Sequence, residues 1–179
     1  MTPVHVFTSG DEAELFINGK SAGRQKRGQY DYRLRWDNVI YTPGEISVKA
    51  WKNGEDWATA SRRTVGAAAS LNITADRSSI DGDGKDLSFI TVAVVDENGD
   101  TVPNADNVIT FSVASGPGKI VTTDNGDPRD STPFPSLNRK AFSGLALAIV
   151  RAEVASTGDI VIKAEADGLT ANKLVITAT

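Results

Sequence analysis

The feature that most restricts this chain is a two-residue alternation of apolar and polar side chains, interrupted by Asn-Gly pairs. Tyr30, Tyr32, Leu34 and Trp36 alternate with Asp31, Arg33, Arg35 and Asp37. Ile46, Val48 and Ala50 alternate in the same way with Ser47, Lys49 and Trp51. A period of two sorts each set onto opposite faces of an extended chain, which is the pattern of a half-buried strand rather than a helix. Asn18-Gly19 and Asn53-Gly54 each fall between two such runs. Both central residues of a type I′ turn need positive φ, which Asn and Gly tolerate, so each pair marks a hairpin tip. Pro43-Gly44 marks a further turn, with Pro fixing φ at the first corner and Gly free to take positive φ at the second. The first half is expected to be all-β.

Hairpin pairing then sorts the aromatic residues. A two-residue turn at Asn53-Gly54 pairs Lys52 with Glu55, Trp51 with Asp56 and Ala50 with Trp57, and directly paired residues share a face. Trp57 is therefore expected on the core side with Ala50, Val48 and Ile46, and Tyr30 and Tyr32 on the core side with Leu34 and Trp36. By the same logic Leu15, Ile17 and Ala22 share a face. Phe16 and Trp51 come out as outward-facing aromatics on a very small domain. They are the candidate contacts for a neighbouring domain or for a sugar, because exposed aromatic patches mark interfaces.

Val65 to Ser70 is a short run of small residues, too short to let two domains tumble freely, and a defined but modest interface is expected across it. The domains are read as residues 1–65 and 71–179, with 66–70 as linker. Leu71, Ile73 and Ala75 alternate in the second half. Leu87 to Val95 is a nearly continuous apolar run, typical of a strand covered on both faces. Runs at 108–113, 145–150, 160–166 and 174–177, separated by Gly, Asn and Asp turns, complete a second sandwich. Thr122 to Asn138, rich in Asp, Pro, Ser and Asn, is the one long loop. The fold class is thus all-β, two tandem immunoglobulin-like antiparallel β-sandwich domains.

Composition narrows the chemistry. Cysteine is absent, which rules out disulfides and thiolate metal sites. Residues 1–66 carry ten Lys/Arg against eight Asp/Glu, and residues 67–179 nine against fifteen, so the halves differ at about +2 and −6. Neither half has the positive field of a nucleic-acid binder, and Gly23 to Gly28, though basic, holds no aromatic platform. No apolar run approaches the roughly 20 residues of a membrane-spanning helix. His5 is the only histidine and reads as an edge-strand residue; there is no Gly-x-Ser-x-Gly elbow and no phosphate-binding Gly loop. Carboxylate pairs (Asp11-Glu12, Asp81 with Asp83, Asp96-Glu97, Asp124 with Asp127) all fall in turns, where such groups cap backbone N–H. Asp81 to Asp86 invites a calcium reading, but the twelfth position of an EF-hand loop would be Val92, and Lys85 adds a repelling charge. No catalytic, metal or cofactor residue is expected, and Met1-Thr2-Pro3-Val4 opens on strand-type residues as an excised segment would.

A family resemblance attaches to particular residues. The run from Pro3 to Arg24, including Glu14-Leu15-Phe16-Ile17-Asn18-Gly19-Lys20, resembles the small domain that follows the catalytic barrel in bacterial family 2 glycoside hydrolases of the β-galactosidase type. Trp36 to Glu45 and Ala50 to Gly54 continue it. Asp83 to Phe89, Val102-Pro103-Asn104-Ala105, Asp124 to Pro128 and Lys140 to Ala146 resemble the C-terminal immunoglobulin-like domain of the same enzymes, itself similar to invasin and intimin repeats. The resemblance implies a retaining parent whose two catalytic glutamates lie on a (β/α)₈ barrel that nothing here matches. It also implies a periplasmic or secreted location. Expected partners are the catalytic and other domains of that parent and a second copy through the parent; polysaccharide, and more remotely a role as an adhesin piece, stand as alternatives. Nucleic acid and membrane are not expected as partners.

Overall fold

The computed structural model describes residues 1–179, which form strands and turns without a helix. The chain divides into two compact units, Met1–Thr64 and Val65–Thr179.

The first unit contains β1 (Thr2–Val6), β2 (Glu12–Ile17), β3 (Lys20–Lys26), β4 (Leu34–Val39), β5 (Glu45–Lys52) and β6 (Glu55–Arg63). A four-stranded antiparallel sheet in the order β3-β2-β5-β6 faces a two-stranded ribbon β1-β4. Ala13, Leu15, Leu34, Trp36 and Ala50 are buried between them, with Val4, Val6, Ile17, Val39, Ile46 and Val48 packed around. Asn18-Gly19 (φ 49° and 76°) and Asn53-Gly54 (φ 53° and 84°) take the left-handed conformations that a two-residue hairpin needs. Ile17 pairs with Lys20, and Lys52 with Glu55.

Two facing assignments differ from the sequence expectation. Trp51 does pair with Asp56, but the register then shifts, so Ala50 pairs with Ala58 instead of Trp57. Trp57 is the extra residue of this β-bulge and lies 51% exposed rather than in the core. A bulge at Ala22-Gly23, between the Phe16–Ser21 and Glu14–Arg24 pairs, keeps Ala22 on the face of Leu15 and Ile17, as expected, although Ala22 is exposed on this edge strand. Tyr30 and Tyr32 precede β4 instead of belonging to it. Gly28 and Asp31 close a turn, with Asp31 N–H donating to the Gly28 carbonyl and Gly28 N–H to the Asp31 carboxylate. The tyrosines are thereby 89% and 68% exposed, whereas Leu34 and Trp36 are buried.

The second unit contains β7 (Ser70–Ala75), β8 (Ser79–Ile80), β9 (Leu87–Val95), β10 (Val108–Ser115), β11 (Gly118–Asp124), β12 (Asn138–Lys140), β13 (Leu145–Ala152), β14 (Gly158–Glu165) and β15 (Asn172–Ala178). Two sheets, β11-β13-β9-β7 and β12-β10-β14-β15-β8, stack face to face, all neighbours antiparallel except β15 with β8. Phe111, Ile90, Val92, Ile109, Val150, Ile160, Ile162 and Ile176 fill the interior with little or no exposure. The short β8 and β12 and the Gly-flanked β11 carry no clear alternation and are not apparent in the sequence. In β9, Ser88, Ile90, Val92 and Val94 point inward, while Phe89 on the other face is 39% exposed and Thr91 and Ala93 are half-buried. That strand is therefore covered fully on one face only.

The long loop is shorter than the sequence suggested, because β11 runs to Asp124 and β12 begins at Asn138. A buried arginine holds it. Arg139, 2% exposed, donates from Nε to the Thr123 hydroxyl at 3.2 Å and from its terminal nitrogens to the Thr123, Thr132 and Pro133 carbonyls at 2.7, 3.0 and 3.1 Å. Its ion pair with Asp130 is 2.9 Å long. One guanidinium thus satisfies the carbonyls of an irregular segment that has no ladder of its own.

Candidate interaction surface

The outer face of the β3-β2-β5-β6 sheet carries the two aromatics singled out by the sequence. Phe16 pairs with Ser47 and Ser21, and Trp51 with Glu12 and Asp56. Both are half-buried. The Arg24 guanidinium lies 3.8 Å above the centre of the Trp51 ring and is held there by an ion pair to Glu12 at 2.8 Å; the Lys49 ammonium is 5.3 Å from the same ring. A cation stacked on a ring uses the face on which a sugar's C–H bonds would pack. Trp51 therefore belongs to a charged lattice with Glu12, Arg24, Lys49 and Asp56, not to a bare aromatic platform.

The end of this unit formed by the β1–β2, β3–β4 and β5–β6 connections is different. Phe7 (68% exposed), Tyr30 (89%), Tyr32 (68%) and Trp57 (51%) all project from it. These connections are tied to one another: Asp11 accepts from Asn53 N–H at 2.7 Å, Arg27 donates to the Thr8 carbonyl at 3.2 Å, and Trp57 Nε1 donates to the Ser9 hydroxyl at 3.0 Å. Arg33 lies 5.1 Å from the Tyr32 ring and 3.3 Å from Nδ1 of His5, and Lys52 is 4.6 Å from the Trp57 ring. Four large rings at one braced end, rimmed by cations, have the composition of a protein contact surface. The sequence did not single these residues out; Tyr30-Asp31-Tyr32 directly after Gly28-Gln29 was the available signal, and the alternation running into β4 masked it.

The turn carboxylates are engaged with backbone. Asp83 accepts from Lys85 and Asp86 N–H at 2.7 and 2.9 Å, and Asp124 from Asn125 and Gly126 N–H. Asp96, 1% exposed, accepts from the N–H groups of Gly66, Asn98 and Asp100. Wherever the fold shifts a carboxyl group it lowers its pKa: hydrogen bonds from Asp86 and Lys85 N–H do so for Asp83, from Gly66 N–H for Asp96, and from Arg129 for Asp127. A glycosidase general acid needs the opposite, a carboxyl held protonated. His5 is exposed on β1 beside Arg33, with no acid–nucleophile pair assembled around it.

Residues 71–175 match the family described as glycoside hydrolase family 2 C-terminal domain 5, and residues 1–58 match one described only as a domain of unknown function (DUF4982). The chain is 37% identical to the β-galactosidase BoGH2A of Bacteroides ovatus over 96% of its own length and 20% of that enzyme. Its structure superposes with a TM-score of 0.91 on a glycosyl hydrolase family 2 member from Bacteroides cellulosilyticus, at 30% identity, covering 99% of this chain and 23% of the other. A β-glycosidase from Bacteroides vulgatus gives a TM-score of 0.87 at 29% identity, covering 97% of this chain and 22% of the other. The chain spans about a fifth of the length of these relatives.

Proposed function

This chain belongs to the glycoside hydrolase family 2 C-terminal domain 5 family, and on that premise we propose that it is a non-catalytic module that braces the catalytic barrel, or the dimer, of a longer β-galactosidase-type glycosidase. The observation that carries this reading is the group of Phe7, Tyr30, Tyr32 and Trp57, exposed together at one end of a small unit whose loops are fixed by hydrogen bonds. Rings carried on backbone that is already fixed leave less entropy to lose on docking, and bury large areas when they dock. The lowered carboxyl groups of Asp83, Asp96 and Asp127 support a role without chemistry of its own, because a carboxyl held ionised does not serve as a general acid. Phe16 and Trp51 enter as secondary contacts, available to a partner that meets the charged lattice around them. At Trp51 the carbohydrate-module alternative meets an occupied ring face, because Arg24 stacks on it. The proposal extends to a periplasmic or secreted parent, on the resemblance to family 2 β-galactosidases alone.

In the full-length glycosidase, replacing Tyr30, Tyr32 and Trp57 together by serine is expected to lower the thermal midpoint of activity, because buried aromatic anchors carry most of a contact's energy. The same triple change should cost the isolated 179-residue chain only about 1 kcal/mol or less, chiefly through the half-exposed Trp57, so a larger loss in the parent reports docking. Equal midpoints for the wild-type and variant parent would rule out bracing through this end.

A further inference from the structure

The first unit is an unbalanced sandwich. Its ribbon is two strands wide and its sheet four, so at about 4.8 Å between neighbouring strands the ribbon covers roughly half the sheet. β4 lies toward β3: Trp36 Nε1 donates to the Gly23 carbonyl at 3.1 Å, and the Gln25 amide to the Arg35 carbonyl at 2.8 Å. β1 lies toward β5, and Val4 reaches the same cleft as Ile46, Val48 and Ala60. Nothing lies over β6, which is exposed at all nine residues. The cleft left there, about 250 Å³, is lined mostly by apolar groups: Val4, Leu15, Ile46, Val48 and Ala60, with Arg62 at its rim.

Two further features sit on this cleft. β1 pairs only with β4, so the backbone groups of its other edge are unpaired along the opening, and such an edge templates strand addition. Arg62 donates only to the carbonyl of its neighbour Ser61 and has no acidic partner. An apolar floor, a free strand edge and an unmatched cation together describe a seat for one extended segment.

We infer that an extended strand of the same polypeptide, from outside these 179 residues, adds to the free edge of β1 and closes the cleft over β6. The chain accounts for only 20% of the β-galactosidase it matches over 96% of its own length, so a longer parent would supply attached chain for which pairing is intramolecular. A second copy is a poorer occupant: β1 has five residues and an irregularity between Thr2 and Val4, too short and uneven an edge to hold two free molecules together. Pro3 has no N–H to offer, so pairing runs along Val4 to Phe7. The added strand presents small or medium apolar side chains at every second position toward Ile46, Val48 and Ala60, and an acid toward Arg62. This strand addition does not depend on the bracing role, because it completes the sandwich whether or not the aromatic end meets a partner.

Amide hydrogen exchange, read by mass spectrometry on the 179-residue chain and on the full-length parent, tests it. Peptides spanning Val4–Phe7 and Ala58–Ser61 are expected to exchange about 100-fold more slowly in the parent. Ala60→Arg, at an exposed position, should return Val4–Phe7 in the parent to the rate of the isolated chain and leave the isolated chain unchanged. Equal rates in chain and parent would overturn the inference, as would protection that survives Ala60→Arg. Protection that appears in the isolated chain as its concentration rises would overturn it too, by giving the seat to a second copy. Loss of the aromatic end alone leaves these rates untouched, which separates this outcome from failure of the bracing proposal.

Discussion

Replacing Arg139 by leucine is expected to destabilise the second unit by about 3–5 kcal/mol, the range seen when one member of a buried ion pair is removed. Leucine fills part of the space but donates nothing. The Thr132 and Pro133 carbonyls and the Asp130 carboxylate would lose their shared donor inside a segment that has no strand partner to replace it, and Thr123 at the end of β11 would lose the donor to its carbonyl. Loss should appear first as rapid exchange of residues 125–137 and then as an earlier denaturation midpoint for the whole unit. Asp130 makes the lock sensitive to acid. Hydrogen bonds from Thr132 and then from Arg139 hold its carboxyl well below the ordinary value of 3.8. A depressed carboxyl contributes stability that is complete above its unfolded value and is lost as pH falls through its folded one. The second unit should therefore weaken progressively below about pH 4, and Asp130→Asn should be weaker at neutral pH yet lose less between pH 5 and pH 2. An Arg139→Leu unit with an unchanged midpoint would show that the loop is held by something else.

Trp36→Ala is the other large effect, and it falls on the smaller unit. Trp36 is 6% exposed and is the largest side chain among the five buried residues between sheet and ribbon. Truncating a buried tryptophan costs about 3–5 kcal/mol, through lost burial and the cavity left behind. A domain of this size has a total stability of the same order. The variant is expected to leave Met1–Thr64 unfolded at 25 °C while Val65–Thr179 keeps its native spectrum, since the two units have separate cores. Trp57→Ala serves as the contrast: that ring is half exposed at a bulge and should cost about 1 kcal/mol or less. Well-dispersed native amide signals from the first unit of Trp36→Ala would contradict this account of its core.

The sequence made the architecture legible wherever a local rule operated undisturbed. Asn18-Gly19 and Asn53-Gly54 announced their hairpins because few residue pairs accept two consecutive positive φ angles. Leu34 and Trp36 announced a core face by period. What stayed hidden arose from register and from long-range contacts. The bulge opposite Trp51 shifts pairing by one residue and turns Trp57 outward, and no residue type nearby encodes it. Tyr30 and Tyr32 continue the phase of β4 across a turn, so periodicity alone assigned them to the interior. Arg139 gave no signal: a charged residue in a polar stretch reads as surface, and its burial depends on carbonyls 6 to 16 positions away. In β9 the apolar outer row of Phe89 and Ala93 reads as doubly covered, while within this chain one face stays partly open.

Both units use their apolar residues to fill sandwich interiors, and the proposed role is one without bond cleavage by this chain itself. Incubating the purified chain with 4-nitrophenyl β-D-galactoside, and with the corresponding glucuronide, measures this directly through released nitrophenolate. No release above the enzyme-free blank is expected at any pH from 4 to 8. Steady turnover that scales with chain concentration and is lost on mutating a carboxylate would contradict it.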